Sequence, residues 1–161
     1  MTFFECYADE ALLRFFGFSS KQLSGGHSFG RSNVSRKLRK VADSIGVVDE
    51  DPGAAQDDYL KYLMTLPPIH KDSYLISSKD SKANNILVVM RPNLEAWAIK
   101  LAHERGIDLS NAKYGLSMDV SKLHEILMLQ KNSKKRSKFI EFISDISDHK
   151  AIVKLKELLK K

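Results

Sequence analysis

The chain has 161 residues, of which 43% are hydrophobic and 29% are charged. This composition is typical of one ordinary globular domain and excludes a disordered chain. A domain of this size buries roughly 70% of the surface that its unfolded chain exposes, so it needs neither disulfides nor a metal ion in order to fold. We therefore expect any bound metal to serve a function.

The single cysteine, Cys6, can form no internal disulfide, and no pairs of Cys and His have the spacing of a zinc site. The first ten residues lack the basic and apolar regions of a signal peptide, and no stretch approaches the ~20 apolar residues of a membrane span. We expect a cytoplasmic protein that does not bind membranes.

Charge is distributed unevenly along the chain. Residues 1–130 carry 16 basic and 16 acidic side chains, whereas residues 131–161 carry 10 and 4, so the net charge of +6 belongs to the C-terminal segment. Residues 21–40 form a second basic stretch that contains no acid. Its basic residues are Lys21, Arg31, Arg36, Lys37, Arg39 and Lys40. Both segments indicate polyanionic partners such as nucleic acid.

Apolar β-rich runs alternate with helical patterns through the first two-thirds of the chain, which predicts an α/β fold with a Rossmann-like, mostly parallel sheet. The predicted strands cover residues 2–7, 45–48, 74–76 and 86–90. The predicted helices cover residues 9–16, 32–43 and 59–64, with Pro67 and Pro68 as breakers, and a further helix begins with Pro92 at its first position.

The last third of the chain has only helical patterns. After a connector at 106–117, amphipathic segments at 120–130, 137–146 and 151–159 predict three short helices. We predict a domain over residues 1–105 and a helical C-terminal extension over 106–161 that packs on the same domain. The apolar faces of these helices could instead form a homodimer or bind another protein.

Three carboxylates lie at the predicted ends of strands. Glu5 is near the end of the first strand, where an unpaired carboxylate is costly, and Asp49 and Asp51 have the spacing that places two side chains on one side of an extended chain. Because ligands of open parallel sheets bind beyond the carboxyl ends of the strands, these acids converge if their strands are neighbours. A cluster made only of carboxylates prefers Mg²⁺ or Mn²⁺ to zinc, and such an ion can polarise a phosphodiester and activate water.

The same acids also have structural interpretations. Asp51 before Pro52 is typical of a helix N-cap followed by proline at the first helical position, and for Asp51 alone we favour the cap. Glu95 falls in the first turn of a predicted helix, where the helix dipole favours a negative charge. Trp97 is predicted to belong to the core.

Basic and glycine-rich segments could contact phosphates. His27 lies in the glycine-rich loop 25–30, which is not a Walker A motif because no Gly-Lys-Ser/Thr follows. The second predicted helix either lines a path for a phosphate backbone or merely exposes a solvated face. Its candidate nucleic-acid-binding residues are Arg31, Arg36, Lys37 and Lys40. The same two interpretations apply to the run Lys131, Lys134, Lys135, Arg136 and Lys138.

Two of these segments resemble a known family. Residues 5–13, Glu-Cys-Tyr-Ala-Asp-Glu-Ala-Leu-Leu, are similar to the acidic strand-to-helix motif of TOPRIM domains, and Asp49-Glu50-Asp51 is similar to their Asp-x-Asp motif. TOPRIM domains occur in topoisomerases, bacterial primases, OLD-type nucleases, recombination proteins and small stand-alone nuclease-like proteins, and they bind Mg²⁺ through these acids on a parallel α/β fold. The resemblance implies that Glu5 is a general acid or base and a metal ligand, and that Asp49 and Asp51 are metal ligands.

The likeness extends over about residues 1–105. Residues 91–97, Arg-Pro-Asn-Leu-Glu-Ala-Trp, are similar to a Pro-x-x-Glu-x-Trp element of small TOPRIM-like proteins, so Glu95 is a possible additional site residue, together with Asp9 and His27. Cys6 stands where the family usually has glycine, which could alter or abolish activity. No recombinase tyrosine domain, primase zinc ribbon or ATPase motif accompanies the resemblance, which disfavours topoisomerase, primase and complete OLD-type roles.

These observations predict a Mg²⁺-dependent phosphodiester hydrolase acting on RNA or DNA. The alternative is a non-catalytic TOPRIM-like module that binds nucleic acid or a protein, which Cys6 and the lack of an obviously placed catalytic lysine favour. A third possibility is another α/β enzyme that uses the same acids on a small phosphorylated substrate, because a fold alone does not determine chemistry.

Overall fold

The computed structural model describes residues 1–51, 53, 56–128 and 133–160. Its strands are β1 (Thr2–Phe3), β2 (Ile45–Asp49), β3 (Pro68–Lys71), β4 (Leu75–Asp80) and β5 (Asn85–Met90). Its helices are α1 (Tyr7–Phe15), α2 (Ser20–Leu23), α3 (Arg31–Leu38), α4 (Asp58–Thr65), α5 (Leu94–Glu104), α6 (Val120–Met128), α7 (Ser133–Asp145) and α8 (Lys150–Leu159).

The strands form one open sheet in the order β1-β2-β5-β4-β3. β1, β2 and β5 are parallel neighbours, whereas β4 is antiparallel to both β5 and β3. β4 and β5 are antiparallel because only residues 81–84 connect them, and a parallel pair needs a long crossover. The predicted α/β class is confirmed, with a sheet that is mixed but keeps all its described strands except β4 in one direction.

Helices cover both faces of the sheet, and the alternation of side chains along the strands divides the core in two. Val47 and Val88 pack in a large cluster with α1, α5 and the last three helices. Val48 and Val89 face a smaller cluster formed with α3 and α4. This double burial explains the nearly continuous apolar sequence of β5, whose residues are all buried.

The C-terminal helices α6, α7 and α8 share the larger cluster with the sheet. Leu123, Phe139, Phe142 and Leu155 are fully buried within it, beside residues of β2 and β5. The described part of residues 106–161 is therefore packed onto the core built by residues 1–105. None of the described helices is long and apolar enough to span a membrane.

Several predicted boundaries are wrong. The first strand ends at Phe3 instead of residue 7, because Asp9 accepts hydrogen bonds from the backbone N–H groups of Glu5 and Cys6 and the helix begins at Tyr7. α3 ends at Leu38 instead of residue 43. These differences move the first carboxylate from a strand to the turn between β1 and α1.

Two structural roles expected for a cap and a proline are also wrong, whereas α4 ends at Thr65, just before the predicted breakers Pro67 and Pro68. Pro68 also begins the edge strand β3, where an edge position needs no N–H donor. Asp57, and not Asp51, caps α4 by accepting from the Leu60 N–H at 2.8 Å. Pro92 precedes the α5 cap, Asn93, instead of opening the helix. Pro52, Lys131 and residues 129–130 of a predicted helix lie outside the described residues.

Candidate functional site

The carboxyl ends of the parallel strands bring acidic residues from distant parts of the sequence together. Glu5 lies just beyond β1, and its Oε1 accepts a hydrogen bond from the Asp49 backbone N–H at 2.7 Å. The Oδ1 of Asp49, at the end of β2, accepts from the Leu94 N–H at 2.9 Å. Asp49 is thus bound to the turn after β1 on one side and to the start of α5 on the other.

Two further acids lie next to this pair. Asp9 is 5% exposed, and its Oδ2 accepts from the N–H groups of Cys6 at 2.9 Å and Glu5 at 3.1 Å. Glu95, in the first turn of α5, is 3% exposed, and its Oε1 lies 3.0 Å from His124 Nδ1. We call Glu5, Asp9, Asp49 and Glu95 the carboxylate cluster.

Burial and mutual repulsion raise the proton affinity of the cluster. Burial raises the pKa of Asp49 from 3.8 to about 9, and the charges of Asp9 and Glu5 add to this effect. Burial, followed by repulsion from Glu5, raises the pKa of Asp9 to about 7. Burial also raises the pKa of Glu5, against the opposing hydrogen bond from Asp49. At neutral pH the cluster therefore carries protons or needs a compensating cation.

Asp51 lies at the outer edge of the cluster. Its side chain is exposed, its backbone has a positive φ of 24°, and its charge contributes to the raised pKa of Glu5. The backbone carbonyls of Glu50 and Asp51 both accept hydrogen bonds from Nη1 of Arg31, the latter at 2.6 Å. Asp51 is thus placed close to Glu5, but on the solvent side.

The predicted nucleic-acid-binding residues of α3 separate into buried and accessible ones. Arg31 is 5% exposed, and its positive charge lowers the pKa of Glu5 against the effect of burial. Arg36 and Lys40 are exposed, and Lys37 is half-buried. Lys37 Nζ donates to the carbonyls of Gly25 at 2.9 Å and His27 at 2.7 Å. Accessible positive charge therefore follows α3 and the glycine-rich loop, while Arg31 supports the segment after β2.

His27 lies among aromatic rings beside the cluster. Its imidazole stacks on Phe29 with ring centroids 4.0 Å apart, and it meets the Tyr7 ring in a T-shaped arrangement with ring centroids 4.5 Å apart. Burial lowers the pKa of His27 from its ordinary value, which favours the neutral imidazole. The structure therefore brings His27 close to the turn that carries Glu5, through aromatic contacts.

Two partners of the cluster carry no signal in the sequence. His124, on α6, contacts Glu95 although it lies 29 residues further along the chain. The Leu94 N–H donates to Asp49 because α5 begins just after β5, the neighbour of β2 in the sheet. Only the packing of α5 and α6 beside the sheet creates these contacts, and no local motif encodes them.

The donor chemistry of the cluster fits a hard divalent cation, since carboxylate oxygens are the ligands that Mg²⁺ and Mn²⁺ prefer. Among the described residues, no three His, Cys, Asp or Glu side chains form a ready-made metal-binding group. Glu5, Asp9 and Asp49 each direct one oxygen to a backbone N–H. Because the described residues hold no preformed group, binding of an ion would require these side chains to move toward a common centre.

Comparisons with models of protein families, with curated proteins and with solved structures found no match for this chain. The fold and the site define an α/β protein with a buried carboxylate cluster at the carboxyl ends of parallel strands. The TOPRIM resemblance depends on residues 5–13, 49–51 and 91–97 alone.

Proposed function

We propose that this chain is a TOPRIM-like protein with a Rossmann-like sheet, and that it hydrolyses phosphodiester bonds of nucleic acid with Mg²⁺ or Mn²⁺ in the cytoplasm. The observation that supports this proposal most directly is the carboxylate cluster, which gathers acids from β1–α1, β2 and α5. Mutually repelling carboxylates that are withdrawn from water destabilise a fold unless protons or a cation neutralise them. A bound divalent cation gives the cluster a function that accounts for this cost.

Asp49, Asp51 and Glu5 would hold the ion, with Asp9 and Glu95 close behind them. The ion would supply Lewis-acid polarisation of a phosphodiester and a water of lowered pKa. Glu5 is suited to proton transfer because burial raises the pKa of its carboxyl toward the working pH. The exposed side chains Arg36 and Lys40, together with the half-buried Lys37, would hold the phosphate backbone, and this contact would weaken with rising salt.

Cys6 stands where the family usually has glycine, but the backbone conformation at this position does not need a glycine. Its φ of −141° and ψ of 175° are ordinary extended values, and its side chain packs in the larger core cluster. The alternative function, a non-catalytic binding module, is favoured by a different observation: backbone N–H groups already occupy one oxygen each on Glu5, Asp9 and Asp49.

Metal-dependent stabilisation and cleavage, measured together, test the proposal. Thermal unfolding at pH 8 is compared in EDTA and in millimolar MgCl₂ or MnCl₂, with cleavage of labelled RNA and DNA under the same conditions. Asp49→Asn removes a proposed ligand, and Asp58→Asn is the matched control because the Asp58 side chain is 94% exposed on α4. An ion present at 100 times its Kd stabilises the fold by about 2.7 kcal/mol.

We expect metal to stabilise the wild-type protein and the control, and both to cleave nucleic acid, whereas Asp49→Asn should lose both responses. A wild-type protein that shows neither stabilisation nor cleavage would contradict the hydrolase proposal. Retained binding to nucleic acid in that case would support the binding module.

A further inference from the structure

The glycine-rich loop runs beside β1 and extends the edge of the sheet next to Glu5. The Phe4 N–H donates to the Gly26 carbonyl at 3.1 Å, and the Phe29 N–H donates to the Glu5 carbonyl at 3.1 Å. Gly26 permits this approach, since a Cβ there would lie 2.1 Å from the Thr2 carbonyl oxygen. The loop thus places Phe29 directly beside the residue that carries the first carboxylate of the site.

Phe29 ends a stack of rings that opens to solvent. Its ring lies on His27 at 4.0 Å and 26°, and His27 lies in turn over Phe4 at 5.6 Å and 18°. Phe4 is buried, whereas Phe29 is 70% exposed, the highest value among the large hydrophobic side chains of the described residues. One side of the Phe29 ring is therefore covered by His27, and the ring remains largely accessible to a flat partner.

The backbone of Phe29 gives no structural reason for an aromatic residue. Its φ of 50° lies in the left-handed region, which glycine or asparagine adopts readily and a bulky side chain rarely does. The exposed ring also contributes little buried area to the core. A bulky aromatic held in an unfavourable conformation and turned to water indicates a ligand-binding role.

Two basic side chains lie near this stack. Lys37 Nζ donates to the His27 carbonyl at 2.7 Å. The Arg136 guanidinium lies 5.3 Å from the centre of the Tyr7 ring, and the centres of the Tyr7 and His27 rings are 4.5 Å apart. Aromatic rings flanked by cations are the combination with which proteins bind bases and phosphates of single strands.

We propose that the Phe29–His27 stack is a platform for an unpaired base, so that the site takes single-stranded nucleic acid. This inference rests on the proposed function, because it assigns the substrate class of the same site. In a duplex, the faces of the internal bases are already stacked on one another and cannot reach the Phe29 ring. An unpaired base can stack on it, with its phosphates toward Lys37 and Arg136.

Binding is measured in EDTA, where no metal-dependent cleavage occurs, with a fluorescently labelled ten-nucleotide oligothymidine and a blunt duplex of the same length. Phe29→Ala removes the platform, and Phe29→Trp keeps it. Tyr62→Ala is the matched control, since it removes another exposed aromatic ring, on α4. Circular dichroism melting verifies that each variant is folded.

We expect Phe29→Ala to weaken single-strand binding about 10-fold or more, because stacking of a base on an aromatic side chain contributes substantially to affinity. Binding of the duplex should change much less, and Tyr62→Ala should match the wild type. In Phe29→Trp the oligonucleotide should bind normally and quench the fluorescence of the introduced indole, because the native Trp97 is fully buried.

Unchanged single-strand affinity in Phe29→Ala, or an equal loss for single strand and duplex, would overturn the platform. Such a result alongside metal-dependent cleavage would refute the platform and leave the hydrolase proposal standing. Conversely, a Phe29-dependent preference for single strands in a protein without any metal response would support the platform and refute hydrolysis.

Discussion

Asp49→Asn is expected to stabilise the metal-free protein at alkaline pH, even though it removes a proposed metal ligand. Burial and neighbouring charges raise the pKa of Asp49 from 3.8 to about 9 in the folded state. Between these values the folded carboxyl holds a proton that the unfolded chain releases. The wild-type protein therefore loses stability as pH rises from about 4 to about 9, by up to about 1.4 kcal/mol per pH unit.

The magnitude follows from the width of that pH window. Several kcal/mol would be lost by pH 8 if Asp49 acted alone, but it shares the repulsion with Asp9 and Glu5. We expect Asn at this position to recover about 3 kcal/mol, because its side chain is never charged and its oxygen can still accept from Leu94. For a chain of this length, that gain raises the melting temperature by roughly 6–12 °C.

The assay is thermal unfolding in EDTA across pH 4 to 9, with Asp58→Asn as the exposed control. The difference between Asp49→Asn and the wild type should be near zero close to pH 4 and should increase with pH, while the control stays level with the wild type. A variant that melts below the wild type at pH 8, or a difference that does not depend on pH, would refute the inference that burial and repulsion raise the pKa of Asp49.

Two further substitutions test the packing around the site and the hydrogen bond that joins Tyr74, just before β4, to the end of α5. Gly26→Ala should destabilise the fold by roughly 1–3 kcal/mol in urea unfolding, because its Cβ would lie 2.1 Å from the Thr2 carbonyl oxygen. Gly53→Ala, where a Cβ meets nothing within 4 Å, should be neutral, and equal effects of the two changes would contradict the close approach of the loop. Tyr74→Phe removes a hydroxyl that donates to Glu104 at 2.7 Å and holds the pKa of that carboxyl below its usual range. We expect a loss of about 1 kcal/mol at pH 7 that fades as the pH falls through the lowered pKa of Glu104 and the carboxyl is protonated. An equal loss at neutral and at acidic pH would refute the role of the charged hydrogen bond.

The cluster shows which parts of a site can be predicted from sequence. Glu5 and Asp49 were expected to converge because both follow apolar segments of a parallel sheet, and the structure joins them by a 2.7 Å hydrogen bond. The contact between Glu95 and His124 could not be predicted, since helices α5 and α6 meet only after the sheet has folded. The sequence places Arg31 on a basic helix face, whereas in the structure its side chain is buried and donates to the backbone carbonyls after β2.

The strands of the sheet also differ in how well they can be predicted from the sequence. The apolar runs of β2 and β5 are long enough to be recognised locally, because strands buried on both faces have little polar alternation. β3, an edge strand with exposed or half-buried residues, carries no such signal and is defined only by its hydrogen bonds to β4. From the sequence alone, Pro68 indicates the end of a helix. In the structure it is the first residue of an edge strand, a position that tolerates proline.

By itself, the sequence determined the α/β class, the amphipathic helices at the C-terminal end and the acids at strand ends, because each depends on composition or on a short-range period of apolar residues. Only the tertiary structure decided which strands are neighbours, which basic side chains remain at the surface and how Phe29 comes to lie beside Glu5. These features depend on contacts between segments that are distant along the chain, and their energies come from burial and electrostatics that no local pattern contains.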